Sequence, residues 1–245
     1  MDLPFYDDHF GKNPILKCRG SIGTSILNVY ALVQLVNWSK IFDIGYKLDI
    51  TSSSTADTAA GTGLQTLIVY GLDDDYNPLT EVVTMNGQTI VQTANEFRRV
   101  FAAYMLTTGT GNQNAGDIYF MKTGTGGTYT AGVPGTLSSG AAKMLAGDNL
   151  AYSGVWTAPR GTSYMIDTFT PSATKAATVI LIKASPAETN GRGPYALLKT
   201  ETGVGIGISG VAVNESLVEK EDVYVRSFAL ATASIVNATL YMRRN

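Results

Sequence analysis

Between Asp49 and Met121 short apolar, β-rich runs alternate with clusters of turn-forming residues, at the spacing of antiparallel strands. Leu64 to Leu72 and Glu81 to Met85 carry the β-branched and aromatic content of strands, and Gly71-Leu-Asp-Asp-Asp-Tyr-Asn-Pro78 supplies the loop between them, which predicts a hairpin. Asn86-Gly87, a pair that tolerates positive φ, predicts a second hairpin joining Val82 to Met85 with Thr89 to Thr93. Arg98 to Leu106 continues as a strand with Val100, Ala102, Tyr104 and Leu106 on one face. The Gly- and Asn-rich loop 109–116 then returns the chain to Asp117 to Met121.

The second half repeats this style. Ala151 to Thr157, Ser163 to Thr170, Ala177 to Lys183, Tyr195 to Thr200, Val204 to Ile208, Asp222 to Phe228 and Ser234 to Met242 read as strands. In the last of them Val236, Ala238, Leu240 and Met242 alternate with Asn237, Thr239, Tyr241 and Arg243, the pattern of a strand with one buried face. Two stretches read differently. Residues 123–147 are rich in Gly, Thr and Ser with a Pro134-Gly135 turn, and predict a connector or surface loop between modules. Residues 1–24 hold Pro4, Gly11, Pro14, Gly20 and Gly23, which predicts an extended arm without regular structure. In residues 25–42 the apolar positions fit helical and strand spacing alike, with Val29, Tyr30, Val33 and Val36 on one helical face, and the β-branched content favours a strand.

The pattern therefore predicts an all-β chain. Its parts are an arm (1–24), a first β-sandwich or jelly-roll module (25–122), a connector (123–147) and a second module (148–245), with 245 residues enough for two small cores. Composition adds that 44% of residues are hydrophobic and only 16% charged, so the chain folds and part of its surface is suited to burial against other subunits. Eighteen Lys and Arg against 20 Asp and Glu, a net charge of −2 and no basic run argue against direct nucleic-acid binding. Cys18 is the only cysteine, which excludes a disulfide framework within the chain and a Cys-based zinc site. No apolar run approaches the roughly 20 residues of a membrane helix, and Met-Asp-Leu-Pro-Phe-Tyr-Asp-Asp-His-Phe lacks the basic start of a signal peptide, so the expectation is a protein made in the cytosol.

Each motif with possible chemistry lacks its context. Asp73, Asp74, Asp75 and Asn77 imitate the start of a calcium loop, but Pro78 stands where the sharp turn needs Gly and Thr84 where a bidentate Glu is needed. Gly205-Ile-Gly-Ile-Ser-Gly210 matches the dinucleotide fingerprint by letter, yet the residues after Gly210 carry no helical stripe, so no cofactor is assigned. His9 is the only histidine and has no nucleophile elbow to serve; the carboxylate pairs Asp7 with Asp8 and Glu219 with Glu221 have no evident apolar pocket. The sequons at Asn37 and Asn237 have no secretory signal to make them meaningful. Tyr76, Tyr129 and Tyr195 fall at loops or strand ends, where aromatics serve an interface, a glycan contact or the edge of a core. The expectation is a non-enzymatic protein with neither metal nor cofactor.

Thr51-Ser-Ser-Ser-Thr-Ala-Asp-Thr-Ala-Ala-Gly-Thr-Gly63, Tyr70-Gly-Leu-Asp73, Asp75-Tyr-Asn77, Glu81-Val-Val-Thr-Met-Asn-Gly87 and Asn114-Ala-Gly-Asp-Ile118 resemble blocks in a group of bacteriophage virion structural proteins, especially from aquatic phages. Tyr152-Ser-Gly-Val-Trp-Thr-Ala-Pro-Arg-Gly161 is similar to that group's strand-and-turn before its late strands, and Val218-Glu-Lys-Glu-Asp-Val223 to the stretch leading into them. The start departs from the pattern: Phe10-Gly-Lys-Asn-Pro14 keeps only part of a Phe-Gly-Arg-Asn-Pro block, and the His-rich segment that precedes it is missing. What the resemblance implies is a structural role in a virus particle, on head or tail, and nothing chemical.

The arm completes the expectation. Phe5, Tyr6, Phe10, Ile15 and Leu16 stand among Pro and Gly, form no amphipathic element, and predict an assembly arm that needs a host surface. This predicts a homo-oligomer, with a trimer favoured by the resemblance. The rival expectations are a double jelly-roll major capsid protein, a receptor- or glycan-binding module of a tail fibre, and a carbohydrate-active enzyme, which would need a cleft with two carboxylates about 5 to 10 Å apart.

Overall fold

The computed structural model describes residues 15–22, 44–137, 139–174, 177–184, 195–204, 210–229 and 234–245. Every element among them is a strand, and every pairing is antiparallel. The segment between Ile22 and Ile44, whose spacing fits helix and strand alike, lies outside the described residues. The strands divide between two compact units, one holding the described residues of Asn37–Ser153 and the other those of Met1–Val36 and Gly154–Asn245. The modules are not in tandem: the first interrupts the second. After β1 (Ile15–Ile22) the chain builds the whole inner unit before returning to the outer one.

The inner unit holds β2 (Leu48–Ser52), β3 (Leu64–Leu72), β4 (Pro78–Thr84), β5 (Val91–Gln92), β6 (Arg99–Thr108), β7 (Ile118–Lys122), β8 (Tyr129–Thr130), β9 (Val133–Pro134), β10 (Gly140–Met144) and β11 (Leu150–Tyr152). Two four-stranded sheets, β10-β7-β2-β5 and β11-β6-β3-β4, form its body, and β8 pairs with β9 in a separate ribbon. Leu48 and Ile50 of β2, Phe120 of β7 and Met144 of β10 share one buried cluster with Leu64, Leu67 and Val69 of β3 and Ala103 of β6. Each large side chain in it stabilises the fold by about 1.5 to 3 kcal/mol relative to exposure. Between the core positions of β3, half-buried Tyr70 meets Tyr104 edge-on at 5.7 Å, and Tyr104 meets Tyr152 at 6.0 Å.

The predicted hairpin across residues 73–77 is present as β3 and β4, in register from Thr66↔Thr84 to Leu72↔Pro78. The Asn-Gly hairpin is not. β4 pairs with β3 while β5 pairs with β2 of the other sheet, so Asn86-Gly87 carries the chain between sheets. Gly87 (φ 60°) donates its N–H to Asp57 O at 2.7 Å and accepts Ser52 N at 2.9 Å, so contacts distant in sequence outweigh the local turn preference.

Strands also occupy the stretch read as a connector. β10 pairs with β7, and the β8–β9 ribbon packs on β2: Thr51 Oγ1 donates to Gly132 O at 2.7 Å, and Gly124 N donates to Asp49 Oδ2 at 3.0 Å. Low apolar content hid this, because the ribbon is held by hydrogen bonds and only β10 adds core residues, Ala141, Ala142 and Met144. Gly132 shows the tightness of the fit. Its φ is 75°, and a Cβ there would lie 1.8 Å from Ser52 O. Gly132→Ala is expected to lift the ribbon and cost about 1 to 3 kcal/mol, with protease cleavage appearing between 123 and 137; unchanged cleavage would contradict the docking.

The outer unit comprises β1, β12 (Val155–Thr157), β13 (Tyr164–Ala173), β14 (Ala177–Ala184), β15 (Tyr195–Val204), β16 (Val211–Leu217), β17 (Asp222–Ala229) and β18 (Ser234–Arg244). Its pairings are nested. First pairs with last (β1·β18), second with seventh (β12·β17), third with sixth (β13·β16) and fourth with fifth (β14·β15), in sheets β1-β18-β13-β16 and β12-β17-β14-β15. Trp156, fully buried, meets Tyr164 edge-on at 4.8 Å, and Phe169, Leu181, Val223 and Leu240 are buried as well. The last strand keeps its predicted faces: Ala238, Leu240 and Met242 are buried, and Tyr241 and Arg243 exposed. The strand expected over Ala151 to Thr157 breaks at Gly154 (φ 75°) into β11 and β12, one in each unit, so the division falls at 153/154 rather than inside 123–147. The residues after Gly210 have strand-like content without clear bounds, and β16 forms there as an edge strand burying only Leu217.

Candidate functional site

In the acidic hairpin turn Asp73 is spent on the turn's own backbone and Asp74 on neighbouring parts of the chain. Asp73 Oδ1 accepts Asp75 N at 2.9 Å and Asn77 N at 2.8 Å, and Asp74 Oδ1 accepts Gly45 N at 2.7 Å and pairs with Arg98 at 3.0 Å. Tyr76, read as a possible interface anchor, is 6% exposed with the Arg98 guanidinium 4.5 Å from its ring centroid, so it packs rather than presents. Glu219 accepts Gly161 N at 2.6 Å, and Glu221 accepts Val218 N at 2.9 Å, which ties together the loops around 159–162 and 218–221. Among the described residues no cluster of three or more His, Cys, Asp or Glu is arranged to hold a metal. Asp7, Asp8, His9, Asn37 and residues 205–209 lie outside the described residues.

The most strongly built polar centre, missed by the sequence reading, is Asp57. Fully buried, it accepts Leu64 N (2.7 Å) and Ala115 N (2.8 Å) on Oδ1, and Ser52 Oγ (2.6 Å) and Gly116 N (2.9 Å) on Oδ2. One carboxylate thus joins the loop after β2, the start of β3 and the loop before β7. Gly63 has no room for a side chain beside it, since a Cβ would stand 2.2 Å from Asp57 Oδ1. The arrangement fixes loops and leaves no lone pair aimed at a ligand. Its sequence signal is the Ser/Thr/Gly-rich block 51–63 around one aspartate, a composition shared with ordinary turns.

A second centre sits at β7 and β10. Asp117 Oδ2 pairs with Lys143 Nζ at 2.7 Å, Asp117 Oδ1 accepts Ala146 N at 2.9 Å, and the Lys143 ammonium lies 5.1 Å from the Tyr119 ring centroid. Burial pushes the Asp117 carboxyl up, but Lys143, the Ala146 N–H and the Tyr119 hydroxyl together outweigh it and hold the pKa below the ordinary 3.8. A carboxyl with a folded pKa below its unfolded value contributes stability that is present above about pH 4 and lost as pH falls through the folded value. Lys143→Met is therefore expected to lower the melting temperature at pH 7 and to converge on the parent chain as acid protonates Asp117 in both. A melting gap that stays constant with pH would contradict this coupling.

The assembly-arm residues divide. Phe5, Tyr6 and Phe10 lie outside the described residues. Ile15 and Leu16 lie in β1, where the turn-rich composition had left no room for a regular element. Their register partners are Tyr241 and Leu240, so this part of the arm is a sheet edge of its own chain. Gly20 stays within the strand because β18 supplies the pairing that propensity withholds. Among the described residues no helix is long and apolar enough to cross a membrane.

Comparison with known proteins assigns no family: no family model matches the chain, and no curated protein matches it.

Proposed function

We propose that this chain is a non-enzymatic structural subunit of a bacteriophage particle, forming or decorating the capsid or tail through contacts between copies, with a trimer as the favoured unit. The supporting observation is the outer unit's nested pairing, the strand order of a jelly roll, an architecture recurrent in viral capsids and lectins. A second unit with two four-stranded sheets is inserted in the sequence between the first and second strands of the outer one, so both units are built from antiparallel sheets. The resemblance of residues 49–242 to phage virion proteins points the same way, and a low charge suits permanent subunit contact without nucleic acid. Asp57, Asp73, Asp117, Glu219 and Glu221 are all committed to holding loops or neighbouring side chains.

A double jelly-roll major capsid subunit is the second reading, favoured by two eight-stranded bodies in one short chain. The interrupted order weighs against it, since the inner unit opens with different pairings, β3·β4 nested within β2·β5. A glycan-binding fibre module loses support with the burial of Tyr76. Electron cryo-microscopy of the virus encoding this chain is expected to place copies at symmetry-repeated positions on head or tail. Absence of the chain from purified particles would overturn the proposal.

A further inference from the structure

We infer that β1 is an exchangeable strand, and that in the associated state it completes the outer unit of a neighbouring copy. This rests on the reading that copies of the chain associate. Three features of the fold carry it. β1 is a sheet edge, hydrogen-bonded to β18 alone. Its pairing is regular over eight consecutive residues, Ile15↔Tyr241 to Ile22↔Ser234, without a bulge, so the same ladder forms equally well with the β1 of another copy. It is also separated from β12, the next strand of its own unit, by the entire inner unit. No turn therefore joins β1 to another strand of its own unit, and its place there is fixed by the β18 ladder rather than by a short connection.

The other edges discourage strand addition. β4 begins at Pro78, and its Glu81 carboxylate is held by Ala94 N, Asn95 N and Asn95 Nδ2. β16 breaks register opposite Ile166 to Thr168 and holds Asn214 at φ 51°. β10 and β15 pair with their single neighbours through register shifts, and β5, β11 and β12 are two or three residues long. The partner that fits is therefore a second copy of this chain, donating Ile15–Ile22 to the edge of β18.

The register supplies the test. Cys18, the only cysteine, stands opposite Ala238. The A238C variant, brought to its associated state and oxidised, is expected to form disulfides between chains, seen on a non-reducing gel as covalent multimers that reductant dissolves and that C18S/A238C does not form. Sedimentation of reduced A238C against the parent chain checks that the substitution leaves the fold intact. Because Ala238 is buried, K17C/T239C in a C18S background repeats the test at the neighbouring pair of the same ladder, where Thr239 is half-buried. If the protein sediments as an oligomer yet the disulfide stays within one chain, exchange is overturned and the assembly reading survives. A monomer with only an internal disulfide overturns both. A folded oligomer that forms no disulfide with either pair removes the β1–β18 register itself.

Discussion

Replacing Asp57 by alanine is expected to destabilise the inner unit by about 3 to 5 kcal/mol, a large share of what holds a domain of this size. Three backbone N–H groups and the Ser52 hydroxyl converge on its carboxylate, and the site is fully buried. Removing the acceptor leaves those donors without a partner, and each buried orphan costs about 1 to 3 kcal/mol. Asp57→Asn separates charge from shape. It keeps one carbonyl oxygen but turns an NH2 toward groups that are themselves donors, so it is expected to cost nearly as much as alanine. Denaturant unfolding measures the loss, and amide exchange at Leu64, Ala115 and Gly116 localises it. A loss under about 1 kcal/mol for both variants would mean that water satisfies the junction as well as the carboxylate does.

The second large effect belongs to the outer unit. Trp156→Ala is expected to cost about 3 to 5 kcal/mol, since it removes the largest fully buried side chain together with its edge-on contact to Tyr164. Trp156→Phe keeps an aromatic ring against Tyr164 and should recover about half of that loss. Hydrogen exchange is expected to rise in β12, β14 and β17, the sheet that carries Trp156. Equal losses for the two variants would show that hydrophobic volume matters little there.

Strand content was legible where alternation or apolar density is strong, but not in β2 or β10, whose buried positions stand among Ser, Thr, Gly and Ala. β3, β6 and β18 announce themselves through alternation or apolar density, and the structure places strands there. Pairing was much less legible, because it depends on contacts remote in sequence. The Asn86-Gly87 turn has the chemistry of a two-residue hairpin, yet Asp57 O and Ser52 N capture Gly87 and send the chain to the opposite sheet. The interrupted domain order left a faint trace in Ser153-Gly154, two small residues inside an otherwise continuous strand-like run. Their neighbours give no sign that β11 and β12 belong to different units. The ribbon over 123–137 shows the converse error: Gly, Thr and Ser bury little, but their hydroxyls and bare backbone dock by hydrogen bonding. Of the candidate site residues, the turn at Asp73 was read correctly as a hairpin loop, while Asp57 stayed invisible because its ligands are backbone N–H groups, which no side-chain motif records.

The central claim, that this all-β chain is a subunit that associates through its N-terminal region, is tested most directly by sedimentation velocity on the full chain beside a version lacking residues 1–13. That truncation removes Phe5, Tyr6 and Phe10 and retains all of β1. The account predicts an oligomer, most simply a trimer, for the full chain at micromolar concentration, and a shift toward monomer or toward aggregation for the truncated one. Stable monomers in both samples would contradict it.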